Sequence, residues 1–347
     1  MITINTPKAH IKNEKVKEEF YDFFHNVKGR DLKTVQAYTN AICEFEKFTD
    51  FQDFKTFTRT EAIDFKEHLA THKNERTGEA ISKSYLRYAT HLKYFLEWLM
   101  NQNGYKKHIK YNDVQYLNLT NNDRKRANST GFQESYEVEE LLSTSRKMKS
   151  NTVLEMRNKA MFALNILCTP RISALQTLRI GNLKYFKSQD AWALFQDSKI
   201  VDTKLANTIT SFFIGNEQDI YKFVFDWVEY LKGQGFEDKD PLFPKFIPSF
   251  NKNGEKIIIL EKKFIKSQQT IRGIFAKAFQ NNGLAYVNPH SFRHSITRKA
   301  LTLSQAMYIP LLSHNLGHKT GETIFDAYGT SPEHKRGVLL KGFPLGG

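Results

Sequence analysis

A polar, asparagine-rich segment at residues 105–133 separates two stretches in which apolar residues follow a helical spacing. Apolar side chains that recur every three or four residues mark one buried face of a helix. Each stretch is long enough to bury a core of its own, and 347 residues suffice for about two domains. The sequence therefore predicts a first domain over residues 10–105, a linker over 106–130 and a second domain over 131–347.

The first half of the chain is predicted to contain four helices. The most regular carries apolar side chains at spacings of three and four from Ile81 to Leu99. Thr58 and Glu61 have the spacing of a capping box and precede the third helix. The four predicted helices are Val16–Val27, Leu32–Phe48, Ala62–His72 and Ile81–Asn101.

The second half is predicted to be mostly helical, with a small antiparallel sheet near its start. Short runs rich in β-branched and aromatic residues indicate the strands. The predicted strands are Trp192–Gln196, Lys199–Lys204 and Thr208–Ile214. The predicted helices include Val138–Met148, Leu154–Cys168, Gln218–Leu231, Gln269–Phe279, Ser291–Leu303, Ala306–His314 and Thr323–Tyr328.

The charge balance points to a polyanionic partner. Lysine and arginine number 51 against 37 for aspartate and glutamate, a formal net charge of +14. Such an excess favours a nucleic acid first and an anionic membrane surface second. The linker adds the run Arg124-Lys125-Arg126, which suits a chain that wraps a polyanion, although a merely solvated linker explains it equally well.

Several other classes are excluded or disfavoured. The apolar stretch around Ala160–Cys168 is too short to span a bilayer, and the N-terminus lacks the apolar core of a secretory signal. Two cysteines are too few for a cysteine-based zinc site. The pairs His290/His294 and His314/His318 lack the glutamate of a zinc protease. The sequence contains no Walker loop, so ATP binding is not indicated. We expect a cytoplasmic protein that uses neither metal nor cofactor.

Three motifs in the second half contain residues with known chemical uses. Arg171 follows a long apolar helix, His290 and Arg293 lie one turn apart on one helical face, and His318 ends the tripeptide Leu-Gly-His. Tyr328 follows ten residues later. Each motif alone is common, because a lone arginine or histidine is usually a surface residue.

In order and spacing, these motifs resemble the tyrosine recombinase (phage integrase-like) family in a Xer-like layout. Pro241–Pro244 is similar to a segment between the sheet and the His-x-x-Arg helix of that family. Thr34 and Val35, with Tyr38 and Phe45, are similar to its N-terminal domain. The resemblance implies a mainly α fold. It has a four-helix core-binding (SAM-like) domain, followed by a mixed α+β, mostly helical catalytic domain with a small three-stranded antiparallel sheet.

The resemblance implies a catalytic set that acts on one phosphate. A tyrosine phenol can attack phosphorus, two guanidiniums can stabilise the charged transition state, and a histidine can move a proton near neutral pH. A second histidine would bond the phosphate, and a lysine would protonate the leaving 5′ oxygen. In that order the residues are Tyr328, Arg171 and Arg293, His290, His318 and Lys204.

Two positions leave alternatives open. The family places its lysine at the turn between the second and third strands, which favours Lys204, with Lys199 as the rival. Ala174 stands where many members carry an acidic residue, three positions after the first arginine. The lack of a carboxylate at this position is expected to lower activity, but it removes no reacting group.

The resemblance therefore implies a site-specific DNA recombinase that forms a 3′-phosphotyrosyl intermediate in integration, excision or resolution. The alternatives are a type IB topoisomerase or a DNA-binding protein that has lost catalysis. Expected partners are duplex DNA, three further copies in a synaptic tetramer, and an accessory excisionase or partner recombinase of a mobile element. Nucleoid association is expected in a bacterium. The candidate DNA contacts are Lys33, Lys83, Arg87, Arg124, Lys125 and Arg126.

Overall fold

The computed structural model describes residues 11–71, 86–123, 135–203, 208–250, 252–303, 308–317 and 336–346. The chain divides into two compact units, Met1–Phe132 and Gln133–Gly347. Each unit has a separate cluster of buried apolar side chains. The observed architecture is mainly α with small antiparallel sheets, as the sequence predicted.

The first unit is helical, and its second helix has the predicted bounds. Asp31 caps that helix by accepting a hydrogen bond from the Thr34 amide at 2.7 Å. The predicted capping box is present, since the Thr58 amide donates to Glu61 at 2.7 Å. The start of the predicted helix at Ile81 lies outside the described residues. The helices are α1 (Ile11–Asp22), α2 (Leu32–Phe48), α3 (Arg59–Thr71), α4 (Arg87–Leu99) and α5 (Tyr111–Val114), with a π-helical turn at Phe23–Val27.

The predicted linker over 106–130 is wrong for its first part. Ile109, Val114 and Leu117 are buried in the core of the first unit. Lys66 also donates a hydrogen bond to the Asn118 carbonyl at 2.8 Å. These apolar residues are too few to show helical periodicity, yet their burial attaches the segment to the first unit. The basic run at 124–126 lies outside the described residues.

Helices form most of the second unit, and several match their predicted bounds within one or two residues. Thr152 and Glu155 form a capping box at the start of the long apolar helix. The predicted helix at Thr323–Tyr328 lies outside the described residues. The helices are α6 (Val138–Lys147), α7 (Val153–Cys168), α8 (Ile172–Thr177), α9 (Gln218–Gly233), α10 (Gln268–Gln280), α11 (Ser291–Thr302), α12 (Tyr308–Asn315) and α13 (Arg336–Lys341).

The predicted three-stranded sheet is present, but one of its strands was assigned wrongly. The sheet order is β1 (Leu183–Phe186), β2 (Ala191–Gln196) and β3 (Ile209–Phe212), with both pairs antiparallel. Residues 199–203 of the predicted strand Lys199–Lys204 do not form a strand. They begin within a turn in which the Asp197 side chain accepts a hydrogen bond from the Lys199 amide at 2.9 Å, a local bond that competes with strand pairing.

A second hairpin, β4 (Pro244–Phe250) and β5 (Lys256–Phe264), was not predicted. Prolines at 244 and 248 argue against a strand, but a two-stranded hairpin has free edges that tolerate them. Arg157 of α7 holds its base by donating to the Pro244 carbonyl at 3.0 Å, and its guanidinium lies 4.5 Å from the Phe246 ring centre. Burial lowers the pKa of Arg157 to about 10.

The C-terminal segment packs on its own unit in this single chain. Leu340, Phe343 and Leu345 are buried in the second core. The Gly215 amide donates to the Leu340 carbonyl at 2.9 Å. Among the helices of the described ranges, none has the length and apolarity needed to cross a membrane.

Candidate active site

The buried guanidinium of Arg293 connects three segments that are far apart in sequence. Arg293 is 6% exposed and lies in the first turn of α11. Its Nε donates to the Thr169 carbonyl and its Nη1 to the Leu316 carbonyl, both at 2.9 Å. Thr169 is two residues before Arg171, and Leu316 is two residues before His318. One side chain thus joins the first arginine motif, the His-x-x-Arg motif and the Leu-Gly-His motif.

The end of α7 presents Arg171 toward this point. Thr169 caps the helix in the left-handed region, with φ of 45°, and Pro170 cannot continue the helix hydrogen bonds. The chain therefore turns sharply, and Arg171 becomes the residue that precedes α8. The same turn directs the Thr169 carbonyl at Arg293.

The two arginines form an electrostatically uncompensated pair among the described residues. Arg171 is half-buried, and burial lowers its pKa. Burial, followed by the positive charge of Arg171, lowers the pKa of Arg293 to about 9. Burial removes water from both guanidiniums, and their positive charges repel each other. An anion that contacts both groups would stabilise their charged forms. The arrangement is therefore suited to a phosphate.

His290 precedes α11 and lies one turn before Arg293. Its side chain is exposed, and its carbonyl accepts from the Arg293 amide at 3.2 Å. Asn165 of α7 donates to the Pro289 carbonyl at 3.2 Å and so attaches this turn to the helix that ends beside Arg171. The His290 and His294 rings lie 5.5 Å apart, edge to face.

The Leu-Gly-His turn requires glycine. Gly317 has a φ of +66°, and a Cβ there would lie 2.5 Å from the Cδ1 of Ile209 in β3. Because glycine has no Cβ, the backbone at Gly317 packs directly against Ile209 of the sheet. The requirement explains the middle residue of the motif, which the sequence alone leaves unexplained.

Gly317→Ala is expected to destabilise the second unit by about 2 kcal/mol, because left-handed backbone and overlap with Ile209 each cost about 1 kcal/mol or more. The free energy of unfolding in denaturant measures the loss. Adding Ile209→Val removes the overlapping Cδ1 atom and should recover the steric part alone. An unchanged loss in the double variant would show that the overlap is not the cause.

Several candidate residues lie outside the described residues: Lys204, His318, Tyr328, Lys83, Arg124, Lys125 and Arg126. Lys199, the rival for the lysine role, is exposed in the turn after β2. Ala174 is 1% exposed and belongs to the core of the second unit. The small apolar residue at this position therefore contributes to packing.

The two described DNA-contact candidates of the first unit lie apart. Tyr88 bonds Asn40, whereas His91 stacks on Tyr38 at 4.4 Å, so α2 and α4 run antiparallel. Lys33 is exposed at the start of α2, and Arg87 is exposed at the start of α4. They therefore lie toward opposite ends of the helix pair.

Two buried asparagines near the arginines were missed in the sequence. Asn165 interrupts the apolar run of α7, and Asn315 ends α12, and both are completely buried. A polar residue inside an apolar run is the signal that could have identified Asn165, since buried amides need partners.

Comparison with known families identifies the chain. The model of the phage integrase family matches residues 132–334, more than half of the sequence. The chain belongs to the phage integrase family. Members of this family are tyrosine recombinases, so the chain is a DNA strand transferase of that type. Family membership does not favour the topoisomerase or the DNA-binding protein without catalysis.

Solved structures support the family's fold at low sequence identity. The XerH recombinase in its pre-cleavage complex with difH DNA is 14% identical, with a TM-score of 0.56, over 91% of this chain and 81% of that one. A lambda integrase(75–356) dimer on a COC′ core site is 13% identical, with a TM-score of 0.57, over 92% and 96%. The Tn1549 transposon integrase with transposon right-end DNA is 12% identical, with a TM-score of 0.55, over 91% and 95%. No curated protein matches in sequence.

Proposed function

We propose that this phage integrase family member is a site-specific DNA recombinase that cleaves and rejoins duplex DNA through a 3′-phosphotyrosyl intermediate. The proposal rests mainly on the Arg293 guanidinium. Its two hydrogen bonds link the His-x-x-Arg motif to the segments that contain Arg171 and the Leu-Gly-His motif. The pair of cations creates a place for one phosphate at the meeting point of these motifs.

The two arginines would hold the phosphate that reacts. A guanidinium has five N–H donors, of which Arg293 uses two on carbonyls, so about three are left for phosphate oxygens. Arg171 makes no side-chain hydrogen bond with a described residue, so its donors are available to the same group. Charge that builds on the phosphorane oxygens is then stabilised by two preorganised cations.

The remaining roles move protons and form the covalent bond. The Tyr328 oxygen attacks phosphorus as its proton passes to His290, and the bond from phosphorus to the 5′ oxygen breaks. Lys204, rather than Lys199, supplies the proton to that leaving oxygen, and His318 donates a hydrogen bond to the phosphate. The phosphotyrosyl ester conserves the energy of the broken bond, so the reaction needs neither ATP nor a metal ion.

The proposed partners are duplex DNA and further copies of the chain. The solved relatives include a lambda integrase tetramer bound to a Holliday junction and the Tn1549 integrase on transposon DNA. We place the first unit, whose core includes Ile109, Val114 and Leu117, on DNA together with the catalytic unit, in a synaptic tetramer of a mobile element. The protein would act in the cytoplasm and, in a bacterium, at the nucleoid, because its DNA substrate lies there. The proposed DNA contacts are Lys33, Lys83, Arg87, Arg124, Lys125 and Arg126.

A covalent trapping experiment tests the proposal whatever DNA sequence the protein recognises. The full chain is mixed with a library of nicked duplexes of random sequence, and adducts that survive detergent are isolated and sequenced. We expect enrichment of one sequence family and attachment of protein to a 3′ phosphate. The proposal is overturned if no adduct forms, or if adducts show no sequence preference and supercoiled plasmid is relaxed.

A further inference from the structure

The side chain of Asn315 binds the sheet as a neighbouring strand would. Asn315 is the last residue of α12 and has no exposed surface. The Phe212 amide in β3 donates to Asn315 Oδ1 at 2.6 Å, and Asn315 Nδ2 donates to the Phe212 carbonyl at 3.0 Å. One carboxamide thus satisfies both backbone groups of one strand residue, as a peptide group would.

The main chain of Asn315 is attached to the same strand. The Ser211 hydroxyl donates to the Asn315 carbonyl at 2.7 Å, and Gln196 Nε2 of β2 donates to the Ser211 oxygen at 3.0 Å. Ser211 and Gln196 are both buried. A buried polar network with paired members is rigid, because each bond lies in a low dielectric and has no water to replace it. The end of α12 is therefore fixed to two strands.

The next residue along the chain reaches the active site. The Leu316 carbonyl accepts from Nη1 of Arg293 at 2.9 Å, while the Thr169 carbonyl accepts from Nε. Two carbonyls in fixed places define the plane of a guanidinium and hence the direction of its remaining donors. A shift of Leu316 would rotate that plane away from the phosphate.

We propose that Asn315 is a positioning residue for Arg293, which fixes the Leu316 carbonyl by bonding the edge of β3. The role rests on the recombinase function proposed above. Asn315 touches no reacting atom and acts through the orientation of the guanidinium. Leucine at this position would fill similar space but make neither of the two hydrogen bonds that Asn315 forms with Phe212.

The test compares cleavage with binding in Asn315→Leu. The probe is the nicked duplex recovered by covalent trapping, at saturating concentration and in a single turnover. We expect the rate constant of adduct formation to fall about 10- to 100-fold, because small displacements of catalytic groups have effects of this size. Affinity for the duplex should stay within about twofold, since the guanidinium charge is retained.

Asn182→Leu is a matched control. Asn182 is also buried, accepts from the Arg179 amide at 2.6 Å and donates to the Phe195 carbonyl of β2 at 2.9 Å. These hydrogen bonds join the loop before β1 to the sheet and do not involve the arginine pair. We expect this variant to lose stability to a similar degree, as thermal unfolding would show, and to keep the rate of adduct formation. An equal loss of rate in both variants would reduce Asn315 to a structural role and overturn the proposal.

A double-mutant cycle identifies the residue through which Asn315 acts. Arg293→Lys keeps a cation but loses the paired bonds to the two carbonyls. In this background Asn315→Leu should lower the rate by less than about threefold, because the group that it positions has already gone. An undiminished loss there would overturn the proposal. Wild-type protein that forms no adduct would instead overturn the recombinase function, and the positioning role with it.

Discussion

Tyr328→Phe is expected to abolish covalent attachment to DNA and to leave DNA binding intact. Phenylalanine lacks the phenolic oxygen that would attack phosphorus, and no other tyrosine follows His318 in the sequence. We expect the rate of adduct formation to fall by more than about 10,000-fold, as for the loss of other catalytic nucleophiles. Gel electrophoresis of detergent-treated reactions measures the adduct, and a mobility shift without detergent measures binding.

Tyr308→Phe is the matched control for this experiment. Tyr308 is buried at the start of α12, and its hydroxyl donates to the Gly342 carbonyl at 3.3 Å. Its loss removes one long hydrogen bond, which contributes about 1 kcal/mol or less to stability. We expect normal adduct formation from this variant. Adducts from Tyr328→Phe at the wild-type rate would assign the nucleophile to another residue, which peptide mapping of the adduct would identify.

Arg171→Gln is expected to reduce cleavage while it stabilises the free protein. Glutamine cannot neutralise the phosphate, so the rate of adduct formation should fall about 100- to 1,000-fold. In the absence of DNA, the change removes a half-buried positive charge. In the wild-type protein this charge repels Arg293 and lowers its pKa. We expect the midpoint of thermal unfolding to rise by about 2 °C, as is common where an active site holds unfavourable charges.

Arg179→Gln should behave in the opposite way. Arg179 lies eight residues further along and donates from Nη1 to the Lys239 carbonyl at 2.6 Å, and its guanidinium lies 5.5 Å from the Phe264 ring centre. Its loss should lower the midpoint and leave the cleavage rate unchanged. A lower midpoint in Arg171→Gln without DNA would contradict the electrostatic strain that we assign to the arginine pair.

Secondary structure was predictable where one local signal dominated. The apolar spacing in Leu32–Phe48 matches the observed helix, and the capping box at Thr58 and Glu61 marks the next helix start. The prediction failed where neighbours along the chain do not decide the outcome. The hairpin of Pro244–Phe250 contains prolines, and its base is held by Arg157 from a helix almost ninety residues away in sequence.

The candidate site also has features that the sequence predicts and features that only the fold shows. The motifs of Arg171, His290, Arg293, His318 and Tyr328 were recognised in the sequence by their order, and the match to the phage integrase family agrees with that interpretation. Their catalytic roles remain proposals. No spacing in the sequence could indicate that Arg293 is buried or that it bonds the Thr169 and Leu316 carbonyls, because these contacts join residues 124 and 23 positions apart.

The sequence by itself determined most of the helices, the capping signals, the basic excess and the identity of the motif residues, because each depends on nearby positions or on composition. Only the tertiary structure decided how these residues act together. Long-range packing brings the carbonyl of the left-handed Thr169 and the carbonyl of Leu316, which lies between Asn315 and Gly317, to one guanidinium. Because that guanidinium is buried beside a second positive charge, its charged form is destabilised, and a bound anion would stabilise it.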